Sequence, residues 1–122
     1  MKVLIIESSA HIASRLEEMI AAAQLTSAIY ISGSYENGAV IFHEKKPDVV
    51  LLSISLPEDK SLQLLAEIKA AAYKTRVIVL SRNIDLYIHE QCLLLGADYF
   101  LDKYYEFEKI PAVMQGIYDR SH

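Results

Sequence analysis

Four apolar runs in this chain stop at residues able to do chemistry: Glu7 and Ser8 after Val3-Leu4-Ile5-Ile6, Ser53 after Val49-Val50-Leu51-Leu52, Ser81 after Val77-Ile78-Val79-Leu80, and Lys103 just beyond Tyr99-Phe100-Leu101. A carboxylate can take a proton or hold a hard cation, an ammonium can neutralise it, and hydroxyls both donate and accept hydrogen bonds. A serine hydroxyl attacks only when a base removes its proton, and Glu7 is the one acid of the set. Glu7 is also the natural partner of Lys103, which would leave Ser53 without a base and the group close to neutral.

The elements that must position these residues follow from periodicity. Five short runs, at Val3–Ile6, Ala28–Ile31, Val49–Leu52, Val77–Leu80 and Tyr99–Leu101, mostly lack polar alternation, as strands of a parallel sheet covered on both faces do. Between them lie stripes at helical spacing: Ile12, Leu16, Met19 and Ala23; Leu62, Leu65 and Ile68; Ile84, Ile88, Cys92 and Leu95. Ser34 with Asn37 marks the start of a second helix, although Asn37-Gly38 alone would read as a hairpin turn. A short turn over Glu106–Lys109 followed by a helix from Pro111 keeps that ring out of a helix interior. Five strand–helix units imply right-handed crossovers and a doubly wound α/β domain spanning residues 1–122. In such sheets ligands sit beyond the carboxyl ends of the strands, where the five polar residues fall.

Composition excludes several classes. At 122 residues with 52% apolar content the chain can bury a real core, and disorder is excluded. No apolar run approaches the ~18 residues of a membrane span, and Glu7 interrupts the first one too early for a signal peptide. A single cysteine, Cys92, fits a reducing, cytoplasmic setting. A net charge of −4 and a pI near 5.5 leave no basic footprint for nucleic acid.

Three stretches in order give the chain a resemblance to the receiver domain of bacterial response regulators. They are Pro47-Asp48-Val49-Val50-Leu51-Leu52-Ser53-Ile54-Ser55-Leu56-Pro57, Val77-Ile78-Val79-Leu80-Ser81 and Gly96-Ala97-Asp98-Tyr99-Phe100-Leu101-Asp102-Lys103. The resemblance implies a flavodoxin-like (βα)5 sandwich with sheet order 2-1-3-4-5. It also places Ser81 as the strand-four hydroxyl, Lys103 as the lysine after strand five, and Phe100 at the position of the family's rotating aromatic.

The departures from that pattern are informative. Receivers end the first strand in two acids that hold Mg²⁺ and the third in the aspartate that accepts a phosphoryl group, whereas these positions read Glu7, Ser8 and Ser53 here. None of the aspartates (48, 59, 85, 98, 102 and 119) falls at either strand end. Ser61 stands where the family's loop usually carries glycine, and Lys103 is followed by Tyr104 rather than proline. One carboxylate is too few for Mg²⁺. The expectation is a pseudo-receiver: no metal, no cofactor, no enzymatic activity, and signalling through protein contacts. The alternatives are a regulator phosphorylated on an unusual acceptor such as Ser53, and the input half of a longer DNA-binding regulator.

Other constellations are weaker. His89 and Cys92 are two potential ligands where a metal site needs more, and Cys92 falls on the core stripe. No glycine-rich phosphate loop follows a strand, and no glycine-flanked turn supports a Ser53–His11–Glu7 triad. The fourth helix, read as Ile84–Leu95, carries more apolar residues than its core face needs. Leu86, Tyr87 and Leu94, with Tyr104 and Tyr105, form a candidate interface. In receivers the surface of helix four, strand five and helix five is where partners and dimers dock, which the resemblance extends to this chain as a homodimer or a protein partner.

Overall fold

Every apolar run forms a strand and every helical stripe a helix. The coordinates are a computed structural model describing residues 1–55, 58–72, 74–82 and 85–121. Along the chain run β1 (Lys2–Ile6), α1 (Ala10–Ala22), β2 (Ala28–Ser32), α2 (Tyr35–Lys45), β3 (Val49–Ser53), α3 (Asp59–Ala71), β4 (Arg76–Ser81), α4 (Leu86–Leu94), β5 (Tyr99–Asp102), a 3₁₀ turn (Phe107–Lys109) and α5 (Ile110–Ser121). All strand pairs are parallel, in the order β2-β1-β3-β4-β5. This is the flavodoxin-like arrangement expected.

The sheet divides the core by the two-residue period of its strands. Leu4, Ile6, Val50, Leu52, Val77 and Val79 pack with Phe42 of α2, Leu64, Leu65 and Ile68 of α3, and Ile88 and Cys92 of α4. Their neighbours Val3, Ile5, Val49, Leu51, Ile78 and Leu80 pack on the other face with Leu16 and Ile20 of α1 and Met114 and Ile117 of α5. Both parities are buried, so these strands tolerate no polar alternation.

Helix ends follow side-chain chemistry. The Ser34 hydroxyl accepts from the Asn37 amide at 3.1 Å, so Asn37-Gly38 lies inside α2 and not in a hairpin. Gly38 is buried there, and a Cβ would stand 2.7 Å from Ile6 Cδ1; the missing side chain lets α2 lie close over β1. The 3₁₀ turn precedes α5 as expected, with Pro111 in the first helical turn, where its missing N–H removes no intrahelical bond.

Two helical readings need correction. The fourth helix begins at Leu86, because the Asp85 carboxylate accepts from the Tyr87 amide at 2.9 Å and caps it; Ile84 lies outside the described residues. It ends at Leu94: Gly96 at φ +101 closes it, with Gly96 N–H donating to the Leu93 carbonyl and Ala97 N–H to that of Cys92. In α1 the buried stripe is Ala13, Leu16 and Ile20, with Ile12 and Met19 half-buried and Ala23 already the C-cap. Small Ala13 hides more fully than the longer side chains flanking it.

Candidate functional site

Glu7, Ser53 and Lys103 meet because each continues a strand. The Glu7 amide donates to the Ser32 carbonyl at 2.9 Å, extending the β1–β2 ladder, and the Lys103 amide donates to the Ser81 carbonyl at 2.7 Å, extending β4–β5. Their side chains converge on one carboxylate oxygen: Glu7 Oε1 accepts from Lys103 Nζ at 2.6 Å and from Ser53 Oγ at 2.7 Å. The other oxygen, Oε2, accepts from the Ser9 amide at 2.9 Å at the entrance to α1. The Glu7 side chain is 1% exposed and that of Lys103 11%. Burial alone would raise the Glu7 pKa, but hydrogen bonds from Lys103, the Ser9 amide and Ser53, with the lysine charge, outweigh it and hold the carboxyl below its ordinary value. The core of the site is a charge-neutral trio.

Of the other residues expected here, Ser81 is buried at the end of β4 beside Asp102, its register partner, whereas Ser8 is exposed at the rim. Asp102 has a role its position after an apolar run does not advertise. Its buried carboxylate accepts from the Tyr104 amide at 2.9 Å and the Tyr105 amide at 2.7 Å, turning the chain sharply just past Lys103. Sequence reasoning missed Tyr35 altogether. Its hydroxyl donates to the Ser53 carbonyl at 2.7 Å and accepts from the Ser55 amide at 3.0 Å and the Ser61 hydroxyl at 2.9 Å. Leu56 and Pro57, part of the third-strand stretch, lie outside the described residues.

Two clefts open over the trio and share Glu7, Ser8, Ser55 and Lys103. One, of about 180 Å³, runs toward α2 and is walled by Ser34, Tyr35, Glu36 and Lys60; the other, of about 600 Å³, runs toward α4 and includes Ser81, Arg82, Asp85 and Tyr104. Their floor does not fit a divalent cation. Hard cations want several oxygen ligands, and the floor offers one buried carboxylate that already accepts from three internal donors. Among the described residues no group of three or more His, Cys, Asp or Glu side chains is placed to hold a metal.

Residues 3–115 match the sequence profile described as the response regulator receiver domain. The chain belongs to that family. It is a receiver domain of the two-component signal-transduction type. Among curated relatives, this receiver is 32% identical over 84 residues to the transcriptional regulatory protein MalR of Bacillus subtilis, an alignment covering 69% of this chain and 36% of that protein. It is 27% identical over 112 residues to the transcriptional regulatory protein DltR of Streptococcus agalactiae serotype III, covering 92% and 49%. The chain thus spans half or less of the length of these relatives. Among solved structures, the signal receiver domain of a DNA-binding response regulator from Colwellia psychrerythraea 34H superposes with a TM-score of 0.89 at 21% identity, covering 98% of each chain. The N-terminal domain of an uncharacterized protein from Wolinella succinogenes gives 0.86 at 26%, covering 99% of this chain and 96% of that one.

In this receiver Phe100 is half-buried and stacks on His89 of α4, ring centroids 4.5 Å apart and planes 15° from parallel. The apolar surplus on α4 lies in solvent: Leu86 is 72% exposed, Tyr87 64% and Leu94 80%, joined by Leu93. Tyr104 and Tyr105, in the turn that Asp102 builds, are also exposed, and Arg82 sits over the Tyr104 ring at 5.8 Å. Cys92 is fully buried and His89 stacks on Phe100, so the two do not form a ligand pair. Among the described residues no helix is long and apolar enough to cross a membrane.

Proposed function

We propose that this chain is a pseudo-receiver: a signalling domain that keeps the receiver frame, is not phosphorylated at the end of β3, and works through protein contacts. The observation that carries the reading is the Ser53 hydroxyl donating to the same Glu7 oxygen that Lys103 neutralises. In the family's pattern an aspartate stands at this strand end, and a metal and the lysine relieve the crowding of acids. Here one acid, one ammonium and one hydroxyl satisfy each other. Transfer of a phosphoryl group to Ser53 would need a base for its proton, and Glu7, held ionised by Lys103, is a weak one. The degenerate pocket of Glu7, Ser8, Ser53, Ser81 and Lys103 is therefore read as structural, with Phe100 marking where switching would have been relayed.

The test is spectroscopic. Amide spectra recorded with Mg²⁺ and acetyl phosphate, then with Mg²⁺ and beryllofluoride, are expected to show no movement at Ser8, Ser53 or Lys103. A variant carrying Ser8→Asp with Ser53→Asp serves as the positive control and is expected to respond to Mg²⁺. Shifts centred on Ser53 in the unaltered chain would end the proposal.

The contact surface in this reading comprises Leu86, Tyr87, Leu94, Tyr104 and Tyr105, through which a second copy docks by α4, β5 and α5. Interface centres are enriched in aromatic residues and depleted in charged ones, which the three tyrosines beside Leu86 and Leu94 match. Sedimentation velocity is expected to show a concentration-dependent dimer that Tyr87→Glu with Leu94→Glu reduces to monomer. A dimer that survives both substitutions places the contact elsewhere. The setting is cytoplasmic, with neither nucleic acid nor lipid contacted by this domain. The names and lengths of the curated relatives favour a second level to the reading, in which the domain is the input half of a transcriptional regulator.

A further inference from the structure

We infer that the Tyr35 hydroxyl is a metal-free brace that fixes the backbone beyond β3 and, through it, presents the Ser53 hydroxyl to Glu7. The inference rests on the pseudo-receiver reading, because a segment pinned in this way belongs to a domain with one state. A phenol has one hydrogen and two lone pairs. The hydrogen goes to the Ser53 carbonyl, which can only accept, and the lone pairs are taken by the Ser55 amide and the Ser61 hydroxyl. Ser55 Oγ also stands 2.9 Å away, so the hydroxyl is fully subscribed. A phenylalanine ring in its place would offer neither the donor nor the acceptors.

The surroundings make the brace informative. Tyr35 is the first residue of α2, and its ring packs against the core cluster that includes Leu4, Leu52 and Leu64, so ring position is set independently of the hydroxyl. Helix α3 has no side-chain cap bond of its own at Glu58, and fully buried Ser61 in its first turn is tied to Tyr35 instead. Next to it Lys60 Nζ meets Glu36 Oε1 at 2.9 Å, a second and solvent-exposed tie between the first turns of α2 and α3. Together these contacts join α2, α3 and the end of β3 around the trio that Lys103 completes from β5. The trio links the ends of β1, β3 and β5, and the Tyr35 contacts tie α2 and α3 to the β3 end of it.

Tyr35→Phe removes the oxygen and keeps the ring. In native-state amide exchange the Ser55 and Ile54 amides are expected to exchange at least ten-fold faster, while Val79 in the centre of β4 keeps its rate. In a carboxyl-carbon NMR titration the Glu7 midpoint is expected to move up as the Ser53 hydroxyl loses its fixed aim. Equal acceleration at Ser55, Ile54 and Val79, no acceleration at all, or an unmoved Glu7 midpoint overturns the inference. Ser61→Ala provides a milder second variant should Tyr35→Phe fail to fold; it is expected to accelerate Ser55 selectively, and an unchanged Ser55 rate there also counts against the brace. None of these measurements uses a phosphodonor, so the brace and the pseudo-receiver reading can fail separately.

Discussion

Lys103 does at the residue scale what its charge and burial require. Removing it leaves a carboxylate 1% exposed with only neutral donors, and breaking one side of a buried pair costs about 3 kcal/mol or more. Lys103→Met is therefore expected to lower urea-unfolding stability by about that amount at neutral pH. The pH dependence fixes the sign. In the unaltered chain Glu7 titrates below its ordinary value of 4.5, so its contribution is complete above that pH and is lost as pH falls through the depressed value. Lys103→Met removes the largest pKa-lowering hydrogen bond and its charge, so the Glu7 pKa moves up and the deficit relative to the unaltered chain should shrink on acidification from neutral pH toward the unaltered chain's depressed value. A deficit that stays constant over that range would show that Lys103 acts through packing alone. Glu7, Ser53 and Lys103 were legible because a parallel sheet forces its chemistry to where an apolar run stops. Tyr35 was not: Ser34 and Asn37 carry the local signal of a helix start, and no spacing along the chain ties position 35 to 53, 55 and 61.

At the scale of elements, the closeness of α2 to β1 rests on Gly38. Alanine there would gain about 1 kcal/mol of helix propensity but set a Cβ 2.7 Å from Ile6 Cδ1 and 3.0 Å from Cγ1. Ile6 is buried and cannot swing away, so overpacking is expected to win and Gly38→Ala to lose about 1 kcal/mol net. Adding Ile6→Val deletes the nearest atom; in a double-mutant cycle the pair should destabilise less than the sum of the single changes, and strict additivity would refute the contact. The stripes told which face of each helix is apolar but not how deeply each position sinks. In α1 that depends on side-chain length against the sheet, which is why Ala13 is buried and Met19 is not. For α4 the cap decided: Asp85 is itself extended and caps a helix that begins at Leu86, two residues after the start periodicity alone assigns.

For the whole molecule, the strand order, the parallel pairing and the two-faced core were readable because unbroken β-branched and aliphatic runs alternating with helical stripes admit few topologies. Cys92 reports on the integrity of that core. It is fully buried on the core face of α4, and desolvation pushes its thiol up to about 11, so a thiol reagent at pH 8 meets neither access nor thiolate. Labelling is expected only at the rate of opening of the α4 side of the core, slowing in step as denaturant is withdrawn. Rapid labelling under native conditions would mean that α4 detaches on its own. The trio beyond the strand ends also bears on the environment in which the domain works. On the proposed pseudo-receiver reading, a site neutralised by its own lysine and satisfied by its own hydroxyl would draw on no supply of divalent cation or energy-rich phosphate. The surface it supports would then be the same in a starved cell as in a growing one, and the amount of protein synthesised would become the quantity through which its signal is set.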